Sequence, residues 1–209
     1  MSEVASYAPT WESAGGDPGA CVSEADPDTN WSFYRAPGAF LGDQSEQSGH
    51  GIRFSVRTSH TELSEGRLVI LIGGGFAISH MIPEPEIGEW SRHRISLSEG
   101  AWVASSVGAG PVASQTTIDA VLADLGEFLI GMEYGSDVLE EIVSLDTVLL
   151  GVCTADLVPP YGALNFFDIQ QYITDYLAES PSADLAAPFG AFNFFDIQTY
   201  IGLYVAGCP

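Results

Sequence analysis

The last third of the chain repeats itself. Ala155-Asp156-Leu157 runs on to Gly162-Ala163-Leu164-Asn165-Phe166-Phe167-Asp168-Ile169-Gln170, and Ala183-Asp184-Leu185 runs on to Gly190-Ala191-Phe192-Asn193-Phe194-Phe195-Asp196-Ile197-Gln198, 28 positions later and without a gap. A period of this size marks a supersecondary unit that cannot bury its apolar face alone, so the two copies are expected to pack on each other. Each copy carries apolar residues at helical spacing: Phe167, Ile169, Tyr172, Ile173, Tyr176 and Leu177, then Phe195, Ile197, Tyr200, Ile201, Tyr204 and Val205. The expectation is two amphipathic helices related by an approximate two-fold axis, with these stripes buried together. Cys153 and Cys208 bracket the repeats, and a disulfide between them would staple so small a module. Such a bond implies an oxidising, extracytoplasmic compartment, and it leaves Cys21 as a buried small hydrophobe.

Upstream the pattern is that of strands. Residues 1 to 30 are rich in Gly, Pro, Ser and Asp, with one short strand expected around Ala20-Cys21-Val22. Ile52, Phe54 and Val56 alternate with Arg53, Ser55 and Arg57, the period of a strand with one buried face. Leu68 to Ile72, before Gly73-Gly74-Gly75, reads as a strand covered on both faces and ended by a turn, and further strands are expected at His93 to Ser98, Glu127 to Tyr134 and Val143 to Leu150. One short helix, Ser114 to Leu125, interrupts them, with Thr116 and Asp119 resembling a capping box and Ile118, Val121, Leu122 and Leu125 facing a sheet. The fold class is therefore mainly β, a jelly-roll or β-sandwich at residues 1 to 150, followed by a two-helix module at 153 to 209.

Charge restricts the partners. Six basic residues, all Arg, face 28 acidic ones, for a net charge of -22, and after Arg94 no positive side chain follows. Phosphate backbones and anionic lipid are repelled by such a chain, so neither nucleic acid nor a membrane surface is an expected partner. No stretch approaches the roughly 20 apolar residues of a membrane helix.

Residues 31 to about 150 resemble a laminin B domain, also called laminin domain IV, which occurs in laminin chains and in secreted bacterial proteins. The matching phrases are Trp31-Ser32-Phe33 with Ala36-Pro37 and Phe40-Leu41-Gly42-Asp43-Gln44, then Gly51-Ile52-Arg53-Phe54-Ser55, then Leu68-Val69-Ile70 with Gly73-Gly74-Gly75. Leu97-Ser98-Glu99 with Trp102, the helix from Ile118, and Val143-Ser144-Leu145-Asp146-Thr147-Val148 complete the set. The resemblance implies a sandwich related to galactose-binding jelly rolls, a binding or structural role outside the cell, and no enzymatic activity. Bacterial relatives begin one strand earlier, which leads us to expect that a first strand and a signal peptide precede this sequence.

The tail resembles a degenerate dockerin-like module of the terminal anchoring type, in which each repeat is a calcium loop feeding a helix. Asp156, Asn165 and Asp168 fit loop positions 1, 9 and 12 of the first copy, and Asp184, Asn193 and Asp196 fit them in the second. The middle ligands are replaced by Val158-Pro159-Pro160-Tyr161 and Ala186-Ala187-Pro188-Phe189. Calcium takes 6 to 8 oxygens, so two readings stand: calcium held by these side chains, or a metal-free loop capped by them and packed around Tyr161 and Phe189.

Catalytic motifs are scarce. There is no Gly-x-Ser-x-Gly, His-Glu-x-x-His, Cys-x-x-Cys or P-loop, and no enzyme is expected. His80 and His93 are placed to approach Glu84, Glu86 or Glu89. Trp31 and Trp102 are expected in the core, while Trp11 and Trp90, in loops, are candidate stacking platforms for a sugar ring. Asp146 is a candidate ligand of a structural calcium. The expected function is a secreted, non-enzymatic binding or adhesion protein at the cell surface, recognising a glycan or matrix protein and anchored by its tail to a cohesin-like or other surface partner. The alternative is a carbohydrate-binding accessory module of a polysaccharide-degrading system.

Overall fold

Among the described residues, nine strands build two antiparallel sheets: β1 (Thr10–Gly16), β2 (Gly19–Ala25), β3 (Phe33–Arg35), β4 (Gly51–Thr58), β5 (Leu68–Gly73), β6 (Phe76–Met81), β7 (Ser91–Ser96), β8 (Leu125–Gly131) and β9 (Ile142–Val152). They come from a computed structural model that describes residues 9–17, 19–25, 31–61, 67–135, 141–158, 163–186 and 191–207. One sheet has the order β1-β2-β9-β4-β7 and the other β3-β8-β5-β6. The two pack face to face as a sandwich.

Alternation along β4 sets the layering. Ile52, Phe54 and Val56 are fully buried in the core between the sheets, where they meet residues such as Val69, Leu71, Phe128 and Ile130. Full burial of side chains of this size contributes about 1.5–3 kcal/mol each. β5 is covered on both faces, as its unbroken apolar run requires. Val69 and Leu71 enter the main core, while Leu68 and Ile70 join Phe33 and Leu129 in a satellite cluster on the other face. Trp102 is in the core, its Nε1 donating to the Ser96 carbonyl at 2.7 Å. Trp31 is not in the main core; it lies half-buried against the satellite cluster.

Gly74 and Gly75 form the two-residue turn between β5 and β6, with φ of 54° and 81°. A Cβ on Gly74 would come within 2.1 Å of the Ala120 carbonyl oxygen, so helix α1 (Gln115–Ala123) crosses too closely for any other residue. That helix buries Ile118, Val121 and Leu122. Its cap differs from the expected Thr116–Asp119 box: Ser114 is the N-cap, accepting from the Thr117 amide, and Asp119 instead accepts from Ser48 and Gln115. Leu125, expected at the helix end, opens β8.

The strands end at Val152, and the repeats fold as helices α2 (Phe166–Leu177) and α3 (Phe194–Ala206) with a short 3-10 turn, Pro181–Ala183, between them. Their core is Ala155, Tyr172, Ala183 and Tyr200, with the two tyrosine rings stacked at 3.9 Å and 2° between planes. The expected stripes are only half right. Ile169, Tyr172 and Tyr176, and their counterparts Ile197, Tyr200 and Tyr204, belong to this core, but Phe167, Ile173, Leu177, Phe195, Ile201 and Val205 are exposed. Each helix carries two apolar stripes, and the module covers one.

Arg94 of β7 ties this module to the sandwich. Its Nη1 donates to the carbonyls of Cys153 at 3.0 Å and Thr154 at 2.7 Å, and its Nη2 to that of Asp156 at 2.9 Å. Among the described residues no helix is long and apolar enough to cross a membrane.

Candidate interaction surfaces

Pairing register gathers the scarce positive charge. Arg53 lies opposite Arg94, and Ser55 opposite Arg92, while the intervening Phe54 and His93 face inward and stack at 5.1 Å. With Arg57 two residues on, four of the six arginines therefore occupy the outer face of the five-stranded sheet. Small polar side chains floor this face: Ser23, Ser55 and Ser144 are buried, Ser23 and Ser144 are in hydrogen-bond contact at 3.3 Å, and Arg57 donates to Ser144 at 3.4 Å. Asp17 receives both Nε and Nη2 of Arg92 at 2.6 Å and the Ser55 hydroxyl at 3.0 Å. The Arg92 guanidinium holds that carboxyl below the usual carboxylate range, outweighing the opposing effect of burial.

Of the two platform candidates, Trp90 is already engaged. Its Nε1 donates to the Gly15 carbonyl at 3.0 Å, and the Arg57 guanidinium lies 4.8 Å from its ring centre, a cation–π contact. Trp11 is in a strand rather than a loop: it sits on β1, the sheet edge, and is 68% exposed. Asp146 is a backbone brace. Its oxygens accept the amides of Asp17 and Thr147, each at 2.6 Å, and Thr147 takes a φ of 52°.

The tail's acidic residues divide into two roles. Asp168 and Asp196 are fully buried. Asp168 accepts from Leu157 at 2.8 Å and Val158 at 3.0 Å through one oxygen, and from Asn165 at 2.8 Å through the other. Asp196 repeats this with Leu185, Ala186 and Asn193, each at 2.8 Å. Asn165 and Asn193 are N-caps, completing a capping box in each helix. In this arrangement Asp168 and Asp196 latch their loops directly, each carboxylate accepting three backbone amides. Asp156 is buried at the Arg94 junction, and Asp184 lines a cleft against the sandwich. Tyr161, Phe189 and Cys208 lie outside the described residues. Cys21 is a free, buried thiol, and burial pushes its pKa up.

The second apolar stripe of the tail is open. Phe166, Ile173 and Leu177 share a face on an ideal helix, as do Phe194, Ile201 and Val205. Phe166 and Phe194 are each 69% exposed, Leu177 77% and Val205 78%. Each helix also opens on an edge-on pair, Phe166–Phe167 and Phe194–Phe195. Sequence reading placed part of this stripe in the core; the signal separating the two stripes is the 100° step per residue, which puts Ile169, Tyr172 and Tyr176 on one side and Phe166, Ile173 and Leu177 on the next.

The family model of laminin B (domain IV) matches residues 33–159, more than half of the sequence. The chain belongs to the laminin B family. No curated protein matches it. Among solved structures, it is similar to the L4b domain of human laminin alpha-2, with 20% identity and a TM-score of 0.50 over 56% of this chain and 66% of that one. This laminin B chain thus spans slightly less than two thirds of that domain. It is also similar to a family 11 carbohydrate-binding module of a cellulosomal cellulase from Clostridium thermocellum, at 14% identity and a TM-score of 0.44 over 68% of this chain and 78% of that one. An exo-beta-agarase matches at 13% identity and a TM-score of 0.44, over 82% of this chain and 28% of the agarase. At these identities the likeness to the laminin domain speaks for the β-sandwich fold alone.

Proposed function

We propose that this laminin B protein is an extracellular, non-catalytic binding protein, whose sandwich recognises a glycan or matrix partner and whose tail is a dockerin-like anchor. Membership of the laminin B family supports the extracellular part. One observation carries the anchoring part: both repeats leave the same apolar stripe, headed by Phe166 and Phe194, facing solvent. A stripe repeated in both copies, in a module that has already buried its other stripe, is the surface expected of a docking element. On this reading Asp168 and Asp196 hold the loops themselves, so docking through the Phe166 and Phe194 stripe is expected without a metal.

Surface plasmon resonance of the full chain over immobilised cohesin modules, in calcium and in chelator, tests this. Binding in chelator that disappears in Phe166→Ser with Phe194→Ser supports the anchor. No binding in either condition, or binding that survives both substitutions, contradicts it; binding that needs calcium keeps the anchor and overturns the metal-free latch.

A further inference from the structure

β6 and β7 are the last strands of their respective sheets, and together they frame a cleft of about 460 Å³. The tail closes it, contributing Glu179, Asp184 and Phe192. This volume lies within the roughly 300–1,000 Å³ range of small-molecule sites. His80 and His93 both line it, but the carboxylates beside them are Glu179 and Asp184 of the tail rather than the expected Glu84, Glu86 or Glu89.

The chemistry of the lining is specific. His80 Nδ1 contacts the Ala101 carbonyl at 2.6 Å. A carbonyl only accepts, so Nδ1 carries the proton and, in the neutral ring, Nε2 is left as an acceptor. Burial pushes both imidazoles down, His93 to about 3, which keeps them uncharged at neutral pH. His93 is buried, and its Nε2 has no hydrogen-bond partner. A buried polar atom left in this way carries an uncompensated desolvation cost, which a bound hydroxyl would relieve. Glu179 and Asp184 add acceptor oxygens, and Ile82, Ile95 and Phe192 supply apolar wall. Arg94, in the same lining, has both Nη atoms committed to tail carbonyls, so the two carboxylates repel an anion, and a wholly apolar ligand leaves His93 unsatisfied. A ring that presents hydroxyls on its edge and C–H groups on its face satisfies both requirements.

We propose that this cleft between sandwich and tail binds an uncharged sugar unit, its hydroxyls meeting His80, His93, Glu179 and Asp184 and its C–H face resting on Phe192. The proposal rests on the glycan-binding reading of the sandwich and places the sugar where both modules contribute, so that occupancy and tail attachment are coupled.

Isothermal titration of the full chain with cellobiose, lactose and maltose, with galacturonic acid and glucosamine as charged probes, tests it. At least one uncharged disaccharide should bind, about ten-fold more weakly in Phe192→Ala, which also loses packing against Tyr176, and in Glu179→Gln, whose melting temperature should hold. The exposed Glu179 provides the second variant in case Phe192→Ala perturbs folding. Binding unchanged in both variants but lost in Trp90→Ala would move the site to the outer sheet face and overturn the cleft while leaving the glycan reading intact. Binding of glucosamine or galacturonic acid alone overturns the uncharged ligand. Binding of no sugar at all overturns the glycan reading itself.

Discussion

Asp168 accepts the backbone amide of Leu157 at 2.8 Å, and Asp196 accepts that of Leu185 at the same distance. Each bond reaches back 11 residues, from the first turn of a helix to the start of its loop. A buried carboxylate doing this ties the helix start to its loop without any intervening group.

Asp168→Ala leaves three amides without their acceptor. Hydrogen bonds to a charged group contribute about 1.5–3 kcal/mol each, not additively, so we expect a loss of at least about 3 kcal/mol from the tail. Thermal melting should show it, and chelator should leave the wild-type melt unchanged. A melting temperature that climbs with millimolar calcium, following the linkage of metal binding to folding, contradicts the latch.

Arg94→Ala should free the tail's first turn without unfolding the sandwich. Three carbonyls lose a charged donor, and hydrogen exchange should accelerate at residues 154 to 157 while amides of β4 and β5 stay protected. Equal exchange in variant and wild type would show that the junction is held elsewhere.

His93 makes the sandwich acid-sensitive. In the unfolded chain its ring has a pKa near 6.5, and in the fold burial, aided by the like charge of His80, pushes it down to about 3. Above pH 6.5 both states are neutral and the residue contributes no pH dependence. As pH falls from about 6.5 toward 3 the unfolded chain binds a proton that the folded one refuses, and stability drops by up to about 1.4 kcal/mol per pH unit. His80, Arg94, Glu179 and Asp184 are the other titratable groups lining the same cleft, so the reading is the difference between denaturation curves of wild type and His93→Gln. That difference should shrink the acid slope; parallel curves contradict the assignment.

Much of this was legible in the sequence and some was not, for physical reasons. The alternation in β4 and the apolar run of β5 survive because period two is local. β1 escaped notice because it is an edge strand exposed along most of its length, with no buried face to impose a pattern, and β3 because it has three residues. The arginine face could not be read at all: Arg53 and Arg94 are 41 positions apart and become neighbours through strand register alone. The helical stripes were visible but not their fates, since both are apolar and only packing decides which one is covered.

The thiols give a further expectation: Cys153 paired with Cys208, and Cys21 reduced. A bond closing that loop would stabilise the tail by on the order of 4 kcal/mol in the chain-entropy view. Peptide mapping without reductant decides it, and Cys21 in an intramolecular bridge would refute it.

The proposal that this laminin B sandwich binds a glycan rather than a matrix protein is tested most directly by a glycan array probed with the full chain in calcium and in chelator. The account predicts a defined set of uncharged glycans bound equally in both conditions. A blank array, or a signal confined to glycans that carry a charge, contradicts it.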